Sequence, residues 1–154
     1  MQRIRRQLTR KQVVDTPYER WNAFIDILAL EKPDVLSDVQ QIAQNAFCYD
    51  SEVQNGGHLQ FFENERIERA EAIFRSLHAI GASCQARVLE AAISRWRRVN
   101  RESPQSVEDY VKLALEGEFS DLDAQFYDCI PTMRQFLERY LDQNETEFIE
   151  YEAD

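Results

Sequence analysis

Five side chains of this chain belong to types that bind metals or act as nucleophiles: Cys48, His58, His78, Cys84 and Cys129. Zinc sites use short, paired spacings of Cys and His, and these five residues have none. Di-iron bundles use Glu-x-x-His on facing helices, and no such tetrad occurs in the sequence. Nucleophilic catalysis needs a Cys or Ser beside a His that a carboxylate orients, and nothing in the spacing indicates that arrangement. The expectation is a protein that is not an enzyme and has no metal and no cofactor. Its two histidines are read as satisfied structural side chains. Its three cysteines, odd in number and widely spaced, are read as reduced thiols in a cytoplasmic protein.

A second stretch is dense enough to suggest chemistry: "YDSEVQNGGHLQFFEN", Tyr49 to Asn64, which puts two of the four glycines side by side. A phosphate-binding loop would need a strand before it, a helix N-terminus after it and a nearby Lys, and this stretch has neither the strand nor the Lys. The physical reading is a structural corner where a helix stops. Gly56 or Gly57 takes a positive φ without a Cβ clash, and Asn55 tolerates the same region. Gln60 offers an amide to carbonyls left open at the helix end, and Phe61 and Phe62 return to the core.

The elements that must position these residues are helical almost throughout. Thr16, Pro17 and Glu19 form a capping-box pattern before a helix whose Tyr18, Trp21, Ile25 and Leu28 share one face. Pro33 ends it. The next helix is expected from about Asp34 to Val53, with Val35, Val39, Ile42, Ala43, Ala46 and Phe47 inward. A third runs from about Ile67 to Ile80, with Gly81 as its left-handed cap, and a fourth from about Ser83 to Asn100, burying Val88, Leu89, Ala92, Ile93, Trp96 and Val99. Ser106 caps a fifth that ends at Glu116, and two more follow around residues 120–129 and 131–143. No strand is expected. The fold class is therefore all-α, a single-domain bundle of about seven helices. It is preceded by a basic N-terminal arm, residues 1–14, and followed by an acidic C-terminal tail, residues 144–154. The first residues hold no apolar stretch of leader type, and no apolar run reaches the roughly 18 residues of a membrane span.

Charge is the strongest compositional signal. The net charge is −10, unevenly placed: residues 102–154 hold 15 acids against 3 bases, a net −12, and residues 1–101 are close to neutral. Direct binding of nucleic acid by the acidic half is disfavoured, and a cationic partner is allowed. Arg95, Arg97, Arg98 and Arg101 cluster at a helix end, where they complement its dipole. Glu116, Glu118, Asp121 and Asp123 fall around one inter-helix turn. Glu138, Asp142 and Glu145 repeat at three and four residues, about 5–6 Å along a helix. Duplex phosphates present one charge per roughly 1.7 Å of axis. Those seven acids are the candidate partner-binding surface, and Asp121 and Asp123 are expected to be exposed.

The glycine stretch also carries a resemblance. Glu52, Val53, Asn55, Gly56, Gly57, Gln60, Phe61, Phe62 and Asn64 resemble E-V-x-N-G-G-x-x-Q-F-F-x-N, the motif of a bacterial domain-of-unknown-function family typified by a DNA-mimic protein. "LHAIGA" at Leu77 to Ala82 and "DLDAQFYD" at Asp121 to Asp128 resemble two further elements of it. The resemblance spans roughly residues 15–143. His58 stands where the family tends to have an aromatic, which puts the packing at that point in question. The resemblance implies an all-α domain without enzymatic chemistry, whose acidic surface stands in for duplex DNA and occupies a basic DNA-binding protein. The transfer of mimicry to this chain is by analogy. Two other readings use the same face: an immunity-type protein neutralising a basic toxin, or a structural protein whose acids are only solvated. Either a monomer or a homodimer is compatible with all three.

Overall fold

The computed structural model describes residues 3–99 and 101–153. Among these residues nine α-helices account for most of the chain, and seven are nine residues or longer, in keeping with the all-α expectation. The order is β1 (Arg6–Leu8), α1 (Arg10–Asp15), α2 (Tyr18–Leu30), a 3-10 turn at Pro33–Val35, α3 (Asp38–Asn64), α4 (Ile67–Ala79), α5 (Ser83–Arg97), α6 (Val107–Glu116), α7 (Ser120–Asp128), α8 (Met133–Gln143), α9 (Glu145–Phe148) and β2 (Ile149–Tyr151).

The long helix α3 is the axis of the bundle. It packs against α2, α4, α7 and α8, while α5 closes the far side against α4 and α7. Its start is set by a capping box, in which Ser37 accepts from the Gln40 amide and Gln40 reaches back to the Ser37 N–H. The buried Gln40 then donates to the carbonyls of Ile4 at 2.6 Å and Glu147 at 2.8 Å, fastening both chain ends to the bundle. Gln44, one turn on, donates to the carbonyls of Leu28 and Glu31, so the open end of α2 is satisfied by a side chain of α3. The apolar core runs through Phe24, Ile27, Tyr49, Phe61, Ile73, Leu77, Leu89, Leu137 and Phe148, all fully buried.

Several expectations are corrected. Strands do exist: Arg6–Leu8 pairs in parallel with Ile149–Tyr151, with Arg6 opposite Ile149, Gln7 opposite Glu150 and Leu8 opposite Tyr151. Three-residue strands leave too short an alternation to register as a period. Thr16 is the C-cap of α1 and does not open α2; the capping box there belongs to Thr9 and Gln12. The core face of α2 is Ala23, Phe24, Ile27 and Leu28, while Tyr18 is exposed and Trp21 and Ile25 are half-buried. Val35 and Val99 are exposed, since one lies in the 3-10 turn and the other beyond the end of α5.

The reduced-thiol reading fails for two of the three cysteines. Cys84 in the first turn of α5 and Cys129 at the end of α7 form a disulfide, with Cα atoms 5.7 Å apart and a sequence separation of 45. A pairing that distant cannot be read from spacing. Cys48 is the free thiol. Burial pushes it up to about 12, and a hydrogen bond to Glu65 adds to the shift, so it is inert as a nucleophile near neutral pH.

Candidate functional site

The glycine pair ends the first helical segment of α3, as expected, and a second segment begins at once across a kink. Gly56 (φ −156°, ψ 19°) and Gly57 (φ 72°, ψ −172°) interrupt α3, and the helix restarts at once with His58. Gly57 is the residue in positive-φ space. A Cβ there would sit 2.9 Å from Cγ of Asp123, so both the backbone and the approach of α7 require glycine. Restarting a helix leaves N–H groups without partners. Asp123, on α7, supplies one from outside: its Oδ1 accepts from the His58 N–H at 2.9 Å and from His58 Nδ1 at 2.6 Å. His58 Nε2 lies 2.6 Å from the Tyr49 hydroxyl. The carboxylate selects the Nδ1-protonated tautomer, leaving Nε2 to accept from tyrosine.

The polar residues of the motif brace the same bend. Glu52 lies one turn before it and accepts from Gln60 Nε2 at 2.9 Å and Asn64 Nδ2 at 2.8 Å, both after it. Gln60 therefore bridges to a carboxylate and does not satisfy open carbonyls. Asn55 is exposed beside the glycines, and Phe61 and Phe62 are buried, with Phe62 stacked on Trp96. Eight of the nine motif residues are thus placed around one elbow, and the ninth, Val53, is buried.

Carboxylate, imidazole and hydroxyl in a chain form the arrangement that nucleophilic enzymes use. Here Tyr49 and His58 are fully buried, so no substrate atom can touch either. Burial drives the Tyr49 phenol well above its ordinary range, with the charges of Asp123 and Asp50 adding to the shift. The chain of hydrogen bonds serves as a joint between α3 and α7. Among the described residues no three His, Cys, Asp or Glu side chains gather to hold a metal ion.

The seven candidate acids do not form one free face. Asp123 is the clearest departure: its side chain is only 29% exposed and is committed to His58, because the elbow needs an acceptor there. Asp121 is held in a two-pronged pair with Arg95, at 2.5 and 2.9 Å. The Arg95 guanidinium brings the Asp121 carboxyl down to about 2. Glu118 pairs with Arg101, and that hydrogen bond lowers its carboxyl too. Asp142 and Glu145 both hold Arg20, at 2.6 and 2.8 Å, tying α8 and α9 to α2. Glu138 pairs with Arg134 along α8. Glu116 is the one of the seven without an ion-pair partner among the described residues.

Arg95 and Arg101, which hold Asp121 and Glu118, belong to the arginine cluster expected to complement a helix dipole. Their partners lie on the next acidic turn, a complementarity of two neighbouring charge blocks that spacing along one helix does not reveal. The basic N-terminal residues are engaged in the same way: Arg3 pairs with Glu147, Arg6 with Asp26 and Glu31, and Arg10 lies 4.6 Å over the ring of Tyr151.

Unpaired negative charge gathers elsewhere, around α6. A cleft of about 750 Å³ separates α6 from the body of the bundle. It is lined by Glu63, Glu102, Asp109, Glu116 and the paired Glu118, against Arg101 and Lys112, on an apolar floor that includes Leu59 and Leu113. Burial raises the Glu63 carboxyl above its ordinary range, an effect Arg101 partly offsets. Burial also raises the phenol of Tyr110, and Glu63 and Glu52 add to it, so both acids lie close enough to be felt on that side of α6.

Fold and site define a class first: an acid-rich helical bundle built around a kinked central helix, with the tyrosine and histidine of its polar relay buried. The chain belongs to the DMP19-like (DNA mimic protein 19-like) family, whose model matches residues 34–144. The match takes in α3 through α8, hence the elbow and its Asp123 anchor, and leaves out both strands. No curated protein and no solved structure matches the chain.

Proposed function

We propose that the protein is a non-enzymatic DNA mimic that occupies the DNA-binding surface of a basic protein, such as a transcription regulator. Membership of the DMP19-like family carries this reading, and the net charge of −10 supports it. The acids that lead the contact are those without internal partners, Glu116 among them. Glu118, Asp121, Glu138, Asp142 and Glu145 contribute as the outer oxygens of existing ion pairs. Asp123 has a structural role and drops out of the contact set. The full burial of Tyr49 and His58 supports the non-enzymatic half of the reading.

The reading in which the acids are only solvated has one observation in its favour, since so many of the candidate carboxylates already hold an arginine. The deciding experiment is displacement. A labelled DNA duplex bound to its cognate basic regulator is titrated with this protein, and release of the duplex is followed by anisotropy. Mimicry predicts release that weakens as salt rises, because the Debye length is only about 8 Å at physiological ionic strength. A regulator that carries the protein and the duplex together, or binding indifferent to salt, overturns it.

A further inference from the structure

Helix α6 differs from the other long helices in having no buried residue. It rests on the bundle through Tyr110 and Leu113, which are half-buried. Its opposite side carries Val107, Val111 and Leu115, spaced four residues apart and therefore stacked along one face. They are 80%, 48% and 83% exposed. The helix is itself well specified: Ser106 accepts from the Asp109 N–H at its start, and Gly117 closes it in the left-handed conformation. A helix with sound caps and an uncovered apolar stripe has the form of a recognition element.

We propose that this face docks a basic amphipathic helix of a partner protein. Its apolar side chains would lie on Val107, Val111 and Leu115, and its lysines or arginines would reach the acids alongside. The inference rests on the partner being basic, as proposed above, and adds that it must also be apolar. The charge around the stripe selects the occupant. Glu108, Asp109 and Glu116 are exposed on α6 without ion-pair partners among the described residues, and Glu63 and Glu102, which line the cleft together with Asp109 and Glu116, extend the same sign. A second copy of this chain would bring those like charges face to face, with only Lys112 on the helix to answer them. Phosphate chemistry is excluded for the same reason. Ten residues give a helix about 15 Å long, enough to pair with two to three turns of another.

The test uses the full chain and a fluorescein-labelled helical peptide with leucines at i, i+4 and i+8 and lysines beside them. A control peptide keeps the lysines and replaces the leucines by serine. Anisotropy should show binding of the leucine peptide, with the serine control at least tenfold weaker. Val111→Asp together with Leu115→Asp should weaken the leucine peptide at least tenfold. Circular dichroism should stay unchanged, because both side chains are exposed. Charge reversal at Glu108→Lys should weaken binding more at low salt than at high salt.

Binding of the double variant within twofold of the parent overturns the proposal, as does equal binding of the serine control. So does a parent chain that sediments as a dimer while the double variant sediments as a monomer, since a second copy then covers the face. If peptide binding fails while the duplex is still displaced from its regulator, this inference falls and the mimicry reading stands. If the peptide docks on α6 but the duplex is never displaced, the surface stands and mimicry falls.

Discussion

Helices α6 and α7 are neighbours in sequence, both short and both acidic, and they use their charge in opposite ways. On α7, Asp121 reaches Arg95 and Asp123 reaches His58, while Leu122 and Phe126 are buried; its carboxylates fasten it to α5 and to the elbow of α3. On α6, Glu108, Asp109 and Glu116 hold no ion-pair partner among the described residues, and nothing on the helix is buried. Equal acidity does not make equal surfaces. A carboxylate that already holds a guanidinium has little net field left to offer a foreign cation, so charge counting overstates the α7 turn and understates α6. The disulfide sharpens the contrast, since Cys129 staples the end of α7 to α5 and nothing comparable restrains α6.

The largest effect should come from the joint that holds α7. Gly57→Val forces a branched side chain into positive-φ space and against the Asp123 carboxylate, and should cost about 1–3 kcal/mol in urea unfolding. Asp123→Ala should cost a similar amount, about 1–3 kcal/mol, by orphaning the His58 amide and ring N–H in a buried place. His58→Phe restores the aromatic expected in the family and removes the ring's need for Asp123. Combined with Asp123→Ala it should therefore cost less than the two single losses together. A Gly57→Val protein that melts like the parent would break the claim that the elbow locks α7.

A smaller, pH-dependent effect should come from the outer tie. The folded Asp121 carboxyl lies near 2, below its ordinary 3.8, and that of Glu118 is also lowered. A depressed carboxylate gives stability that is fully present above the unfolded value and is lost as pH falls through the folded one. The window is therefore about pH 4 down to about pH 2. Asp121 is half exposed, so solvent screening keeps the contribution below about 1 kcal/mol. Arg95→Gln should reduce stability at pH 5, and the gap to the parent should narrow steadily as pH falls from about 4 to about 2, read as urea midpoints at each pH. A gap that persists undiminished in acid would mean that Arg95 stabilises through its hydrogen bond to the Glu118 carbonyl or its packing over Phe119 and not through the carboxylate.

The contrast between the two helices was only partly legible beforehand. Long amphipathic periods gave α2, α4, α5 and α8 within a few residues, and α3 only up to its kink, because burial of a continuous stripe imposes a 3.6-residue repeat on the chain itself. The adjacent glycines announced a special backbone point, and positive φ at one of them follows from glycine alone. That α3 bends and resumes could not be read there, because the restart depends on Asp123, 65 residues downstream. The same limit hid the Cys84–Cys129 bond, the β1–β2 pairing and the pairing of Asp142 and Glu145 with Arg20. Each is a contact between distant segments that leaves no local period. The α6 stripe was legible in principle as Val107, Val111 and Leu115 at four-residue spacing. An apolar stripe in sequence is ordinarily a buried one, and only the fold shows this one facing out.

The smallest expected effect is on α6, and it is the one that isolates this helix from the rest. Substituting Leu115→Gln removes an apolar side chain that is 83% exposed, so it should change the unfolding free energy by no more than about 0.5 kcal/mol. A stability change of 2 kcal/mol would mean that the side chain packs against the bundle after all. Native-state hydrogen exchange offers the complementary reading. Opening α6 exposes little apolar surface beyond Tyr110 and Leu113, so its amides should exchange through a local event whose free energy lies far below that of global unfolding. The amides of α3 beyond the elbow, at Phe61 and Phe62, should exchange only with global unfolding, since they lie in the core and the His58–Asp123 joint must break to free them. If a basic amphipathic ligand docks on α6, adding it should slow exchange in α6 selectively and leave the α3 amides unchanged. Protection that rises equally in both helices would mean that the ligand stabilises the whole fold from some other surface. An α6 that is already as protected as α3 in the free protein would erase the distinction between the two regions.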